Sequence, residues 1–145
     1  MVHLCKDSNY PLIKMNTKKV DFLHEHKSIL DKEGYVWFGR YGKRKLDIKI
    51  NESDKSIYII LKDAVISTNK SFICEVIEIV DYIPEDGYPE YYEQFIDNIK
   101  QWFKIINIYE IDTEILYEKF VAHKSGKEAK KVLGSIAPIA ILRPI

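Results

Sequence analysis

Between Thr17 and Glu33 the apolar side chains Phe22, Leu23, Ile29 and Leu30, with His26 on the same stripe, recur at the i, i+1, i+4, i+7, i+8 spacing of one helix face. That spacing predicts a helix, capped at its start by Asn16 or Thr17 and closed by Gly34 in the left-handed conformation. Elsewhere the period changes to two. Leu46-Asp47-Ile48-Lys49-Ile50 alternates strictly, and so does Trp102 to Ile111, with Trp102, Lys104, Ile106 and Ile108 on one side and Phe103, Ile105, Asn107 and Tyr109 on the other. Tyr35 to Phe38, Ser56 to Leu61 and Ala64 to Ser67 are β-rich runs between polar turns, and Val2 to Lys6 forms a short strand that Tyr10-Pro11 ends. Phe72 to Tyr82 is rich in Ile and Val yet carries Glu75, Glu78 and Asp81 at every third position, which a strand bulged near Val76 and Ile77 reconciles. After the turn Tyr82 to Gly87, Pro89 opens a helix bearing Tyr88, Tyr91, Tyr92, Phe95, Ile96 and Ile99. Asp112 or Thr113 caps a short helix to about Val121, Ser125-x-x-Glu128 opens another that stops at Gly134, and Ile136 to Leu142 closes the chain as a strand. The pattern predicts one α+β domain across residues 1–145, a curled and mainly antiparallel β-sheet with three or four flanking helices.

Composition fits that reading. A chain of 145 residues with 46% hydrophobic and 30% charged side chains has the size and core of one folded domain. No apolar run approaches the roughly 20 residues that span a bilayer, and the first residues lack a basic segment leading into an apolar one, so the expected location is cytoplasmic, with no membrane partner. Cys5 and Cys74 have no Cys or His neighbours at ligand spacing, which predicts neither a disulfide framework nor a metal site, and a buried Cys74. Charge is more informative when divided. Residues 1–70 carry 14 basic against 9 acidic side chains, residues 71–121 carry 3 against 12, and residues 122–145 carry 5 against 1, so the net charge of zero is a cancellation. Two basic ends lying side by side would make a positive face suited to a phosphate-bearing partner.

Motifs for cofactors and catalysis are missing. Ser125-Gly126-Lys127 echoes a phosphate-binding loop, but the first glycine of that motif would fall at Val121. His24 and His26 stand on different helix faces and cannot share a metal. No nucleophile elbow, zinc-protease helix or dinucleotide fingerprint is present, and no cofactor is expected. What remains is Trp37-Phe38-Gly39-Arg40-Tyr41-Gly42-Lys43-Arg44-Lys45, an aromatic strand running into a cationic loop. A base stacks on Trp37 or Tyr41, Arg40 stacks or bonds in bidentate fashion, and Lys43, Arg44 and Lys45 neutralise phosphates. Trp102-Phe103-Lys104 repeats the mixture on a second strand, where alternation turns one of the two rings inward and leaves the other free to bind.

Val36 to Arg40 and Trp102 to Ile105, with the order of elements along most of the chain, resemble the PUA-like superfamily and especially its EVE branch. The resemblance implies a small pseudo-barrel whose cleft takes RNA or a flipped, modified base, in bacteria often as a sensor in restriction or defence systems. It makes Trp37, Arg40, Tyr41, Trp102 and Lys104 cleft residues and Ser67, Asn69 and Ser71 polar readers on a neighbouring loop. This chain departs from the family in its acidic middle, which favours a free nucleotide or a single flipped base over long nucleic acid. The expected function is a non-catalytic nucleobase- or nucleotide-binding module, a base reader or a sponge for a nucleotide signal, with a short nucleic acid as a further ligand. The ASCH branch of the same superfamily implies an alternative, an amidohydrolase acting on a modified nucleoside, with Lys14 or Lys18 as base, Thr17 as nucleophile or water-positioner and Glu75 in proton transfer. A further alternative is a homodimer formed through the tyrosine-rich segment Tyr88 to Ile99.

Overall fold

The computed structural model describes residues 10–15, 21–41, 45–63, 70–122 and 139–144. The fold is α+β. Its elements run β1 (Tyr10–Met15), α1 (Phe22–Glu33), β2 (Val36–Tyr41), β3 (Ile57–Asp63), β4 (Lys70–Val80), a 3₁₀ segment (Glu90–Asn98), β5 (Ile99–Asp112), α2 (Thr113–Lys119), β6 (Phe120–Ala122) and β7 (Ile139–Pro144). The chain divides into two compact units, residues 1–18, 58–74 and 109–145 in the first and residues 19–57 and 75–108 in the second. In each the strand order is linear, so neither closes into a barrel among the described residues.

In the first unit the order is β4-β3-β1-β7-β6. The pairing is mixed, because β1 runs parallel to β3 (Leu12 opposite Ile60) and antiparallel to β7 (Leu12 opposite Ala140). Pro11 therefore does not end a strand. It lies within β1, opposite Ile141 on β7 and one residue before the register with β3 begins at Leu12. The core gathers Tyr10, Leu12, Ile60, Ile73, Leu116, Phe120 and Leu142, with the Tyr10 ring edge-on to Phe120 at 5.5 Å. The first and last described strands are thus neighbours.

The second unit has the order β2-β5-β4. Helix α1 packs through Phe22 on Phe38 (6.0 Å), which lies on Phe103 (5.9 Å). The helix starts at Phe22, later than the periodicity suggests, because the Asp21 carboxylate accepts the His24 N–H at 3.1 Å and so caps it in place of Asn16 or Thr17. It ends as expected, at Gly34 with φ +83°.

Leu46 to Ile50 is not a strand, although its burial alternates. The side chain of Gln101 takes the place of a neighbouring backbone: its Oε1 accepts the Leu46 N–H and its Nε2 donates to the Leu46 carbonyl, both at 2.9 Å. Those groups are satisfied without a ladder. The tyrosine-rich segment is a 3₁₀ helix, not an α-helix, and it is broken at Phe95 (φ −144°). Over nine residues a spacing of three or four serves either helix, and the choice falls to the burial of Tyr92.

Strand β4 is continuous from Lys70 to Val80, with Glu75 half-buried and Glu78 exposed. A register shift separates Arg40 and Tyr41 on β2, whose partners Gln101 and Ile99 leave Lys100 unopposed. Gly39 is required by a close approach, since a Cβ there would stand 2.8 Å from the Trp102 ring and 3.0 Å from Ile99. Gly39→Ala is expected to lower the unfolding free energy by about 1–3 kcal/mol in urea titrations. The strands expected at Val2 to Lys6 and Ala64 to Ser67 and the helix expected at residues 125–134 lie outside the described residues.

Candidate functional site

The sequence motif around Trp37 lies wholly in the second unit, where β2 and β5 pair antiparallel with Trp37 opposite Lys104. Alternation puts Tyr35 and Trp37 on the side to which Lys104 also points. The Lys104 ammonium sits 4.6 Å from the Tyr35 ring centroid and 5.7 Å from that of Trp37, within cation–π range of both. The turn before the 3₁₀ segment bonds to the Tyr35 side chain and to the Trp37 backbone. The Tyr35 hydroxyl donates to Asp86 Oδ1 at 2.9 Å, and the Trp37 backbone N–H donates to the Gly87 carbonyl at 2.8 Å. Donation to the Asp86 carboxylate raises the Tyr35 pKa.

Trp37 is only 6% exposed, and Phe38 is buried with it. Trp102 and Phe103 are both fully buried, which corrects the expectation that one of them is free. Alternation does send them to opposite sides, but both sides are covered: Phe103 by Phe38, and Trp102 by Tyr88 at 5.3 Å and Tyr92 at 5.2 Å. A ring without accessible surface has no face on which a base can stack. The indole Nε1 of Trp102 is buried without a hydrogen-bond partner among the described residues.

Three residues further along β2 the environment opens. Arg40 is half-buried, and burial lowers its pKa. Tyr41 is 64% exposed and rests at 90° against Phe95, centroids 5.6 Å apart. Lys43 and Arg44, Ser67 and Asn69, and Thr17 and Lys18 lie outside the described residues, whereas Ser71 is buried and bonds to Thr113 at 3.0 Å. Glu75 is committed on both oxygens, accepting from Ser56 Oγ at 2.8 Å and from Asn107 Nδ2 at 2.7 Å. In the first unit Lys14 and Lys62 stand opposite one another across the β1–β3 ladder, and burial followed by the charge of Lys62 lowers the Lys14 pKa.

Two buried groups complete the picture. His26 stacks on Phe22 at 4.1 Å, and its Nδ1 lies 3.0 Å from the Phe22 carbonyl while its Nε2 lies 2.9 Å from the Tyr92 hydroxyl. The carbonyl can only accept, so Nδ1 carries the proton and Tyr92 donates to Nε2. Burial holds the imidazole pKa down to about 3, and burial also raises that of Tyr92. His24 is exposed, so the two histidines do occupy different faces. Cys74 is buried and its thiol pKa is pushed up by burial, leaving a packing residue rather than a nucleophile. Among the described residues no group of three or more His, Cys, Asp or Glu side chains is placed to hold a metal ion, and no helix is long and apolar enough to cross a membrane.

Sequence reasoning missed Tyr35, Asp86, Gly87, His26 and Tyr92 as members of this region. Tyr35 had a signal, standing two residues before Trp37 and therefore on the same strand face. The pairing of residue 35 with 86 and of 26 with 92 had none. No protein-family model matches the chain, and no curated protein or solved structure is significantly similar to it.

Proposed function

We propose that this chain is a non-catalytic, PUA-like module that binds a nucleobase or nucleotide at the C-terminal end of β2. The observation that carries the reading is Tyr41: among the aromatic residues of the motif it has the accessible ring, 64% exposed and braced by Phe95. Arg40 precedes it, and Lys43 and Arg44 follow in the sequence as phosphate partners, whereas Lys45 pairs with Asp81 at 3.1 Å. The stacking role belongs to Tyr41 rather than to Trp37 or Trp102, whose rings are packed inside. Glu75, held by Ser56 and Asn107, serves as a structural acceptor, so the reading remains non-catalytic.

The test is a binding titration against free nucleotides, cyclic and ADP-ribose-type signals, and short duplexes with plain or modified cytosine. Tyr41→Ala is expected to weaken the ligand found by about 1–3 kcal/mol, the usual worth of one stacked base, while the melting temperature stays within a degree or two of the wild type. Full binding by the variant would refute the assignment. A shift with free nucleotides alone identifies a nucleotide sponge, and one with modified duplex alone a base reader.

A further inference from the structure

We propose that Tyr35 and Trp37 form a seat for an alkylammonium cation, which the chain fills from within with Lys104. The inference goes beyond the reading above and uses different residues. Its basis is how the cation is held. The Lys104 ammonium lies over two ring faces, at 4.6 and 5.7 Å, and among the described residues no carboxylate pairs with it. The nearby acid, Asp86, is engaged by the Tyr35 hydroxyl at 2.9 Å.

The Tyr35 ring is also held before any ligand arrives, by its bond to Asp86. Gly87, at φ +83°, accepts the Trp37 backbone N–H at its carbonyl, and it lies so close to Tyr35 that a Cβ would stand 2.5 Å from the ring. Trp37 is buried and Tyr35 half-buried, and Lys104, whose ammonium lies against both rings, is itself half-exposed.

Ring faces without oxygen ligands exclude hard cations. Calcium and magnesium need several oxygens at about 2.0–2.6 Å. A diffuse positive charge surrounded by methyl or methylene groups, as in a quaternary ammonium or a methylated lysine side chain, matches two aromatic faces with a carboxylate at the rim. Lys104 is itself a primary alkylammonium of this class. An external ligand must displace it, and the seat is closed in the resting protein.

The experiment uses the full chain and tetramethylammonium as probe, followed by NMR on the Tyr35 and Trp37 ring signals. In the wild type the Lys104 ε-methylene protons should be shifted upfield by the ring currents and move back as the probe is added. In Lys104→Ala the probe should bind roughly tenfold more tightly than in the wild type, equivalent to about 1.4 kcal/mol and within the range of one cation–π contact. Adding Tyr35→Ala to that variant should abolish binding. A neutral isostere, tert-butyl alcohol, should bind neither protein. Equal binding of the isostere would mean an apolar cavity and overturn the proposal, as would the absence of probe binding to a folded Lys104→Ala. Should that variant fail to fold, the wild-type ε-methylene shift decides: no upfield displacement, or none reversed by the probe, overturns the seat.

Discussion

Trp102→Ala is expected to lower the unfolding free energy by about 3–5 kcal/mol, the range for removing a buried aromatic side chain. For a domain whose whole stability is about 5–15 kcal/mol, that is a large fraction, and the variant should melt far below the wild type. The reason is position. Trp102 is fully buried, holds Tyr88 and Tyr92 on one flank and fills the space that Gly39 vacates on the other. Trp102→Phe separates volume from polarity. The smaller ring leaves a void, but the substitution also removes a buried N–H without a partner, a group whose burial costs about 1–3 kcal/mol. The two effects oppose, so Trp102→Phe should cost far less than Trp102→Ala in urea titrations. Equal losses would mean that the indole N–H is bonded in solution. The same reasoning predicts that Trp37, 6% exposed, behaves as a core residue on truncation and reports on stability rather than on stacking.

Acid should destabilise the protein through His26. Its imidazole is held down to about 3 in the folded protein by burial, against about 6.5 in an unfolded chain. Between those values the unfolded chain binds a proton that the folded one refuses. Stability is therefore full above pH 6.5 and falls as the pH drops through the window, by up to about 1.4 kcal/mol per pH unit from this group. His26→Gln keeps an acceptor for the Tyr92 hydroxyl and removes the titration. Unfolding free energies at pH 7, 5.5 and 4.5 should show a shallower acid slope in the variant than in the wild type. An NMR titration of the wild-type imidazole gives a direct check, because a midpoint near 6.5 would show that His26 is open to water.

Much of the local structure was legible along the chain. The stripe Phe22, His26, Leu30 gave α1 and its buried face, Gly34 gave its end, and the alternation from Trp102 gave β5. These signals are local: a period of 3.6 or 2 with one apolar side records burial within a single element. The strand Leu46 to Ile50 failed for the same reason. Its alternation recorded burial correctly, but a strand also needs a backbone partner, and that place is taken by a glutamine side chain 55 residues away.

The candidate site was legible as a composition and not as a geometry. Tryptophan, arginine, tyrosine and lysine in one run marked β2 as the candidate strand, yet nothing in the run distinguishes Trp37 and Trp102, packed inside, from Tyr41, in water. By itself the sequence determined the α+β class, the aromatic strand and the division of charge, because each depends on residue type and spacing. Tertiary structure alone decided which rings keep an open face, that Lys104 rests on Tyr35 and Trp37, and that His26 meets Tyr92. Those outcomes depend on which distant segments come to cover a strand, and the pattern of one segment carries no record of its neighbours.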